Sequence, residues 1–335
     1  MAVHTVGREA VDGLLARAGI ARARVASRTA MAGGSYNALH EVGLTDGTRL
    51  VLKVPPPAGT PRLRYEAELL CGEALFYESA AAAGVPAPRV VHARWSEDAP
   101  GAAPFLLMTH TPGVSWHEAG ESMADGERDR LRGELGGLVA RLHTVRGPGF
   151  GYPAQRVAPL AGRWAPAFGA MTDAVLDDAA AFGSWLPLPA DAIRSALAGG
   201  SAALAEVAEP ALVHFDLWPG NVLLDGAPGA RKVSGLIDGE RMFWGDPLAD
   251  FASLSLLSPP LEDDPAFLAG YGAAGGRTAF DGAARVRLAL YRCYLYLIML
   301  VEVVPRGTEG AHLAWVRDFT TPRLTAALDT VVRGC

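Results

Sequence analysis

The chain has 335 residues, half of them hydrophobic and 20% charged, the composition of a globular protein with a sizeable core and room for about two domains. Lysine plus arginine number 30 against 36 aspartates plus glutamates, a net charge of −6, which argues against nucleic acid or an anionic membrane as the main partner. Cys71, Cys293 and Cys335 form no C-x-x-C pair and read as reduced thiols. The start, "MAVHTVGREAVDGLL", lacks a basic segment followed by an apolar one. The most apolar run, 293–301, is only nine residues long, so it reads as a buried helix and not a membrane span. A cytoplasmic protein is expected.

In chain order, "TAMAGGSYNALHEVGL" places a Gly-rich turn before an alternating, strand-like run. "TDG" marks a hairpin turn and "TRLVLKV" the next strand. A helix is predicted from about Arg64 to Ala83, stopped by Gly84 and "VPAPRV". "RVVHARW" and "PFLLMTH" read as two further strands. Beyond Pro112-Gly113 the pattern becomes mostly helical, with Leu135, Leu138, Val139 and Leu142 on one face. Short apolar strands at "LVHFDLWPGNVLLDG" and "KVSGLID" interrupt it. The expected fold is therefore α+β, with a small β-rich lobe over residues 1–110 and a larger helical lobe over 111–335.

The chemistry-bearing residues begin with "LVHFDLWPGNVLLDG". The spacing His214-x-Asp216-Leu217-x-x-x-Asn221 is that of the kinase catalytic loop H-R-D-L-x-x-x-N, with Phe215 in place of Arg. Phosphoryl transfer needs a carboxylate to orient the attacking hydroxyl and oxygen ligands for magnesium, which suits Asp216 and Asn221. The plain alternative is an Asx-turn at Pro219-Gly220 with a core histidine. Asp238 ends the apolar strand of "VSGLIDGE", 22 residues after Asp216, where a kinase carries the carboxylate that holds magnesium against the phosphates. Lys53 is one of only two lysines in a chain with 28 arginines, and it sits inside an apolar strand. Its compact charge suits a phosphate oxygen. Glu73 falls on the apolar stripe of Leu69, Leu70, Phe76 and Tyr77, where a carboxylate is costly unless paired. Lys53 is its natural partner, with Glu66, Glu68 and Glu78 as alternatives. Gly33, Gly34 and Ser35 could let backbone approach a triphosphate, or simply make a hairpin turn. Asp246 followed by Pro247 reads as a helix cap, and it or Asp250 could also buttress the loop.

Together "GGSYN", "LVLK", "EALFYESAAAAGVPAPRV", "FLLMTHTPG", "LVARLHTV", "LVHFDLWPGNVLLD" and "GLIDGERMFWGDPLADFASL" resemble the aminoglycoside phosphotransferase and fructosamine kinase superfamily over about residues 30–255. The resemblance implies a two-lobed, protein-kinase-like fold with ATP or GTP and Mg2+ in the cleft. It implies Asp216 as base, Asn221 and Asp238 as metal ligands, Lys53 on the phosphates and Glu73 holding Lys53. It implies main chain around Met108, Thr109 and Thr111 against the purine, and His214 as scaffold. The sequence departs from the usual pattern at Phe215, Trp218 and Gly239, where Gly, His and Trp are common; these changes leave the substrate open.

The expected activity is Mg-dependent transfer of a γ-phosphate to a hydroxyl of a small molecule, an antibiotic of aminoglycoside, nucleoside or peptide type. A kinase of a sugar, amino alcohol or glycated amine is the alternative, and a nucleotide-binding pseudokinase a third reading. Glu240, Glu262, Asp263, Asp264 and Glu302 are candidates to meet a cationic acceptor, although surface acids and helix caps explain each singly.

Overall fold

The computed structural model describes residues 5–31, 36–95, 103–120 and 123–334. A short helix, α1 (Arg8–Arg17), precedes the sheet and was not anticipated from the sequence. Strands β1 (Val25–Ala30), β2 (Ala38–Leu44), β3 (Arg49–Val54), β4 (Val90–Arg94) and β5 (Phe105–Thr109) form one antiparallel sheet in the order β1-β2-β3-β5-β4. In β2, the residues at every second position are buried and those between are half-exposed. β3 is buried along nearly its whole length, because β2 and β5 flank it while α1 and α2 (Leu69–Ala82) supply apolar side chains to the two faces.

The helix predicted from Arg64 begins five residues later. Residues Arg64–Glu66 form a single tight turn, and Glu68 adopts a left-handed backbone, φ 61°, that breaks any continuation into α2. Tertiary contacts override helical propensity here. The Glu66 carboxylate accepts from the Leu63 amide at 2.7 Å, and the Tyr65 ring stacks on Tyr152 with centroids 5.6 Å apart. Gly84, at φ 65°, closes the helix at its other end.

After β5 the chain passes through Pro112-Gly113 into β6 (Val114–Ser115), α3 (Trp116–Gly120) and α4 (Asp125–Leu142). Helices α5 (Trp164–Phe182), α6 (Ala190–Gly199) and α7 (Ser201–Leu204) lead to β7 (Ala211–Val213). β8 (Val222–Asp225) and β9 (Lys232–Leu236) pair with each other and β8 with β6, while β10 (Phe243–Gly245) pairs with β7. Helices α8 (Ala249–Leu254), α9 (Pro265–Ala273), α10 (Gly282–Glu302) and α11 (Gly310–Arg333) complete the chain. The apolar run 293–301 lies in α10, mostly buried; no helix among the described residues is long and apolar enough to cross a membrane.

These two small sheets matter most for function. They present the loop 214–221 between β7 and β8, and Asp238 just after β9. The Ile237 amide donates to the Asn221 carbonyl at 3.0 Å, which ties the two segments side by side.

Candidate active site

Lys53 on β3 reaches three carboxylates: Asp238 Oδ1 at 2.6 Å, Glu240 Oε2 at 2.7 Å and Glu73 Oε2 at 2.8 Å. Burial alone would lower the lysine, but Asp238, Glu240 and Glu73 outweigh it and hold the ammonium well above its ordinary range. Glu73 is fully buried on α2, and burial pushes it up to about 7 against the pull of Lys53. Its other oxygen accepts from Tyr77 one helical turn on, at 2.7 Å, and the Tyr77 hydroxyl in turn accepts from the Asp238 amide at 3.1 Å. Tyr77 thus joins α2 to the strand end that carries Asp238. The sequence marked it only as an apolar-stripe residue.

Asp238 has a left-handed backbone, φ 58°, and its carboxylate is held below the usual range because the Lys53 ammonium beside it outweighs the partial loss of water in the cleft. Gly239 follows because α2 comes so close: a Cβ there would lie 2.3 Å from the Phe76 ring. Phe76 fills the space that a tryptophan at position 239 would need, and its edge packs on the His214 ring at 4.7 Å.

His214 uses both ring nitrogens. Nε2 donates to the Ile237 carbonyl at 2.9 Å and Nδ1 accepts from the Asp216 amide at 3.2 Å. Burial lowers its pKa, so it stays a neutral strut between the two segments. Phe215 is a non-glycine residue at φ 62°, an unusual conformation costing on the order of 1–3 kcal/mol. Two sets of contacts hold it there. Its buried ring packs on Phe243 at 5.0 Å and on Tyr294 of α10 at 5.4 Å. Asp250 accepts from the Phe215 amide at 2.7 Å and from the His214 amide at 3.2 Å. Asp250 also accepts from His143 Nε2 at 3.0 Å, whose Nδ1 meets the Tyr271 hydroxyl at 2.8 Å.

Asp246 does different work. It accepts from the Leu248 amide and pairs with Tyr291 and Arg287 of α10. Trp218 covers Gly220, where a Cβ would lie 2.2 Å from its ring, and sits 5.5 Å from the His117 ring.

The Asp250 clamp gives a first prediction. Asp250→Ala leaves two loop amides and His143 without their buried acceptor, so unfolding stability falls by about 3–5 kcal/mol. Chemical denaturation of the two proteins measures it; a loss below about 1 kcal/mol contradicts the clamp.

Asn221 Nδ2 donates to the Asp216 carbonyl at 2.8 Å and to Asp216 Oδ2 at 3.3 Å, which leaves the Asn221 side-chain oxygen available as a ligand. Asp216 is pushed up to about 7, first by burial and further by Asp238, Glu302 and Glu240, with Arg241 opposing. Arg241 Nε stands 3.9 Å from Asp216 Oδ2, and its Nη2 donates to Glu302 at 2.9 Å. The sequence reading did not single out Arg241. Its signal was faint: an arginine three residues after Asp238 looks like a surface residue until Glu302, 61 positions away, is brought beside it.

The acids considered for a cationic acceptor have different partners, although Asp263 and Asp264 line one cavity. Glu240 lies on Lys53 and accepts from Asn37 at 2.9 Å. Glu302 pairs with Arg241 and with Arg306, both at 2.9 Å. Glu262 receives Arg292 at 2.9 Å on both oxygens. Asp264 pairs with Arg132 at 2.6 Å and caps α9 through the Phe267 amide. Asp263 is exposed on the rim of a cavity of about 630 Å³ between α3, α4 and the loop after α8. Each paired acid is neutralised locally, which explains its presence without an acceptor.

Met108 and Thr109 end β5, with Met108 buried and Thr109 accepting from the Arg89 amide at 2.9 Å; Thr111 lies just beyond, its methyl group against Gly235. Gly33, Gly34 and Ser35 lie outside the described residues.

For a divalent cation, oxygens of Glu73, Asp238 and Glu240 fall within 4.8 Å of one another, with the Lys53 ammonium among them. Asp238, nearly half exposed at its side chain, and the free oxygen of Asn221 are hard ligands suited to magnesium.

A five-stranded sheet with one buried Lys–Glu pair, set against a helical lobe that presents the loop 214–221 and Asp238, is the kinase-like architecture. The chain belongs to the phosphotransferase enzyme family, whose model matches residues 27–290, and it is an enzyme that transfers phosphate to a hydroxyl acceptor. No curated protein matches it at the sequence level. Among solved structures, a protein provisionally assigned as a fructosamine-3-kinase from Thermobifida fusca is 20% identical, with a TM-score of 0.68 over 96% of this chain and 99% of that one. A thermostable mutant of aminoglycoside phosphotransferase APH(4)-Ia, in ternary complex with AMP-PNP and hygromycin B, is 17% identical with a TM-score of 0.65 over 96% and 98% of the two chains. Macrolide 2'-phosphotransferase MphH from Brachybacterium faecium is 19% identical, TM-score 0.56, over 94% and 97%.

Proposed function

We propose that the protein is a cytoplasmic, Mg-dependent small-molecule O-phosphotransferase that moves the γ-phosphate of ATP or GTP to a hydroxyl of an antibiotic. The observation that carries this reading is the juxtaposition of Lys53, Glu73 and Asp238 with the Asp216–Asn221 pair, joined through His214 and Ile237. The nucleotide would lie between residues 1–110 and 111–335. Gly33, Gly34 and Ser35 would meet its phosphates, and main chain at Met108, Thr109 and Thr111 its purine. Asn221 and Asp238 would hold magnesium, which supplies charge neutralisation at the phosphates when bound.

This chain's own residues do the rest. Lys53, fully charged, is pre-aimed at the cleft by Glu73, and Tyr77 keeps that glutamate in place. Asp216 accepts the proton of the attacking hydroxyl and orients its oxygen. Neutral His214 fixes the backbone of Asp216 and takes no proton.

The internal pairing of Glu240, Glu262, Asp264 and Glu302 favours acceptors of low positive charge, such as nucleoside or peptide antibiotics. The same observation, with the fold's likeness to the Thermobifida protein, supports a second reading, a kinase of a sugar or glycated amine. A nucleotide-consumption screen separates them. Antibiotics, sugars, amino alcohols and glycated amines are offered with MgATP or MgGTP, and products are checked by mass spectrometry for a phosphate adduct. An antibiotic adduct is expected; adducts confined to the sugars or amines contradict the antibiotic reading and support the second.

A pH dependence follows from Asp216. Its acid form prevails in the folded protein below about 7, and only the carboxylate accepts a proton. Turnover therefore rises with pH through about 7 and then levels. A rate flat from pH 5 to 8, values on the order of one or two units either side of that limb, contradicts it.

A further inference from the structure

Arg241 has a buried position that the roles above leave unexplained. Its side chain is 12% exposed, as is that of Glu302, which it meets at 2.9 Å. Glu302 ends α10 and binds Arg306 at 2.9 Å, and Arg306 crosses to Glu66 at 2.6 Å. Glu66 is 1% exposed and belongs to the segment between β3 and α2. Arg306 also lies over the Tyr36 ring, 5.5 Å from its centroid, just ahead of β2. One unbroken chain of opposite charges thus runs from Glu66, in the sheet-bearing part, through Arg306, Glu302 and Arg241 to Asp216.

Such a chain contributes little net stability, because desolvating five charged groups offsets their attraction and apolar residues would pack as well. Its value is geometric. Arg241 and Asn221 both approach Asp216 at Oδ2, which leaves Oδ1 for an acceptor hydroxyl. The planar guanidinium keeps its orientation because Glu302 holds its far end through Oε2, and Arg306 holds that same oxygen from the other side of the chain. Glu66 closes the chain on the part of the molecule that carries Lys53, so the carboxylate and the lysine share one frame.

We propose that Arg241 is a positioning residue for Asp216, held in place by Glu302, Arg306 and Glu66, so that Oδ1 faces the acceptor oxygen. The proposal rests on the reading of Asp216 as the base. Misplacing a reacting group by about 1 Å costs on the order of 10²-fold in rate, and that sets the expected effect.

The test uses the full chain, MgATP and water as acceptor, with phosphate release as the readout. MgADP affinity by calorimetry and thermal melting are measured for each variant. Arg241→Met is expected to lower kcat by about 10–100-fold with KM for MgATP and MgADP affinity little changed. Arg241→Lys restores part of the rate, and Glu302→Gln loses part of it. Adding Arg241→Met to Asp216→Asn slows the enzyme no further, because the arginine acts through that carboxylate. A wild-type kcat for Arg241→Met, a loss confined to KM, or losses that multiply in the double variant overturn the proposal. If Arg241→Met does not fold, Arg241→Lys and Glu302→Gln decide: wild-type kcat in both overturns it. Full activity of Asp216→Asn alone is a different failure, that of the base assignment.

Discussion

Asp216→Asn is expected to lower phosphate transfer by about 10²–10⁴-fold while leaving MgATP affinity near that of the wild type. Asparagine keeps the shape of the side chain, so the loop keeps its supports: the Asp216 amide on His214, the two amides on Asp250 and the Leu217 amide on Ser253 at 3.1 Å. What it loses is the negative charge proposed to accept the hydroxyl proton. Because those supports lie in the backbone and behind the loop, the melting temperature changes little, and kinetics separate from folding. Steady-state rates with an accepted substrate, beside calorimetry with MgADP, check it. A variant within about threefold of wild type in kcat removes Asp216 from the chemistry.

Asp238→Ala is expected to be as damaging by a different route. It removes the carboxylate proposed to hold magnesium and the shortest of the Lys53 contacts, 2.6 Å. A metal that neutralises phosphate charge is worth several kcal/mol at the transition state, so transfer falls on the order of 10³-fold and the magnesium needed for half-maximal rate rises. The fold survives, because Lys53 keeps Glu73 at 2.8 Å and Glu240 at 2.7 Å. Rates titrated with magnesium measure this directly. Unchanged magnesium dependence in Asp238→Ala would show that the ligand lies elsewhere.

The residues legible in the sequence were those whose chemistry contradicts their surroundings. Lys53 stands in a buried strand of a chain that otherwise uses arginine, and Glu73 lies on an apolar helical stripe; each is costly alone, and the structure sets them 2.8 Å apart. The His-x-Asp-Leu-x-x-x-Asn spacing likewise sits within one short loop. Arg241 and Arg306 gave no such signal, and Glu66 and Glu302 pointed to other roles, a partner for Lys53 and an acceptor contact, because the charge chain exists only once folding joins segments up to 240 positions apart. Tyr77 was hidden because a tyrosine on an apolar stripe is explained by packing alone, and only its hydroxyl, donating to Glu73 and accepting from the Asp238 amide, shows a second task. The start of α2 was misplaced for a related reason. Arg64–Glu66 has helical propensity, but Glu66 is committed to the Leu63 amide and Arg306, and Tyr65 to Tyr152. Phe215 and Gly239 were departures without a reason in the sequence. In space one ring anchors the loop to α10, and the missing side chain admits Phe76.

The central claim is that Asp216, set beside Asn221 and Asp238, directs the γ-phosphate to an acceptor hydroxyl. The most direct measurement follows label from γ-labelled MgATP into the acceptor chosen by the screen, with wild type and Asp216→Asn compared under saturating nucleotide. The account predicts label on an acceptor oxygen with wild type and almost none with the variant. Equal labelling by both proteins would contradict it.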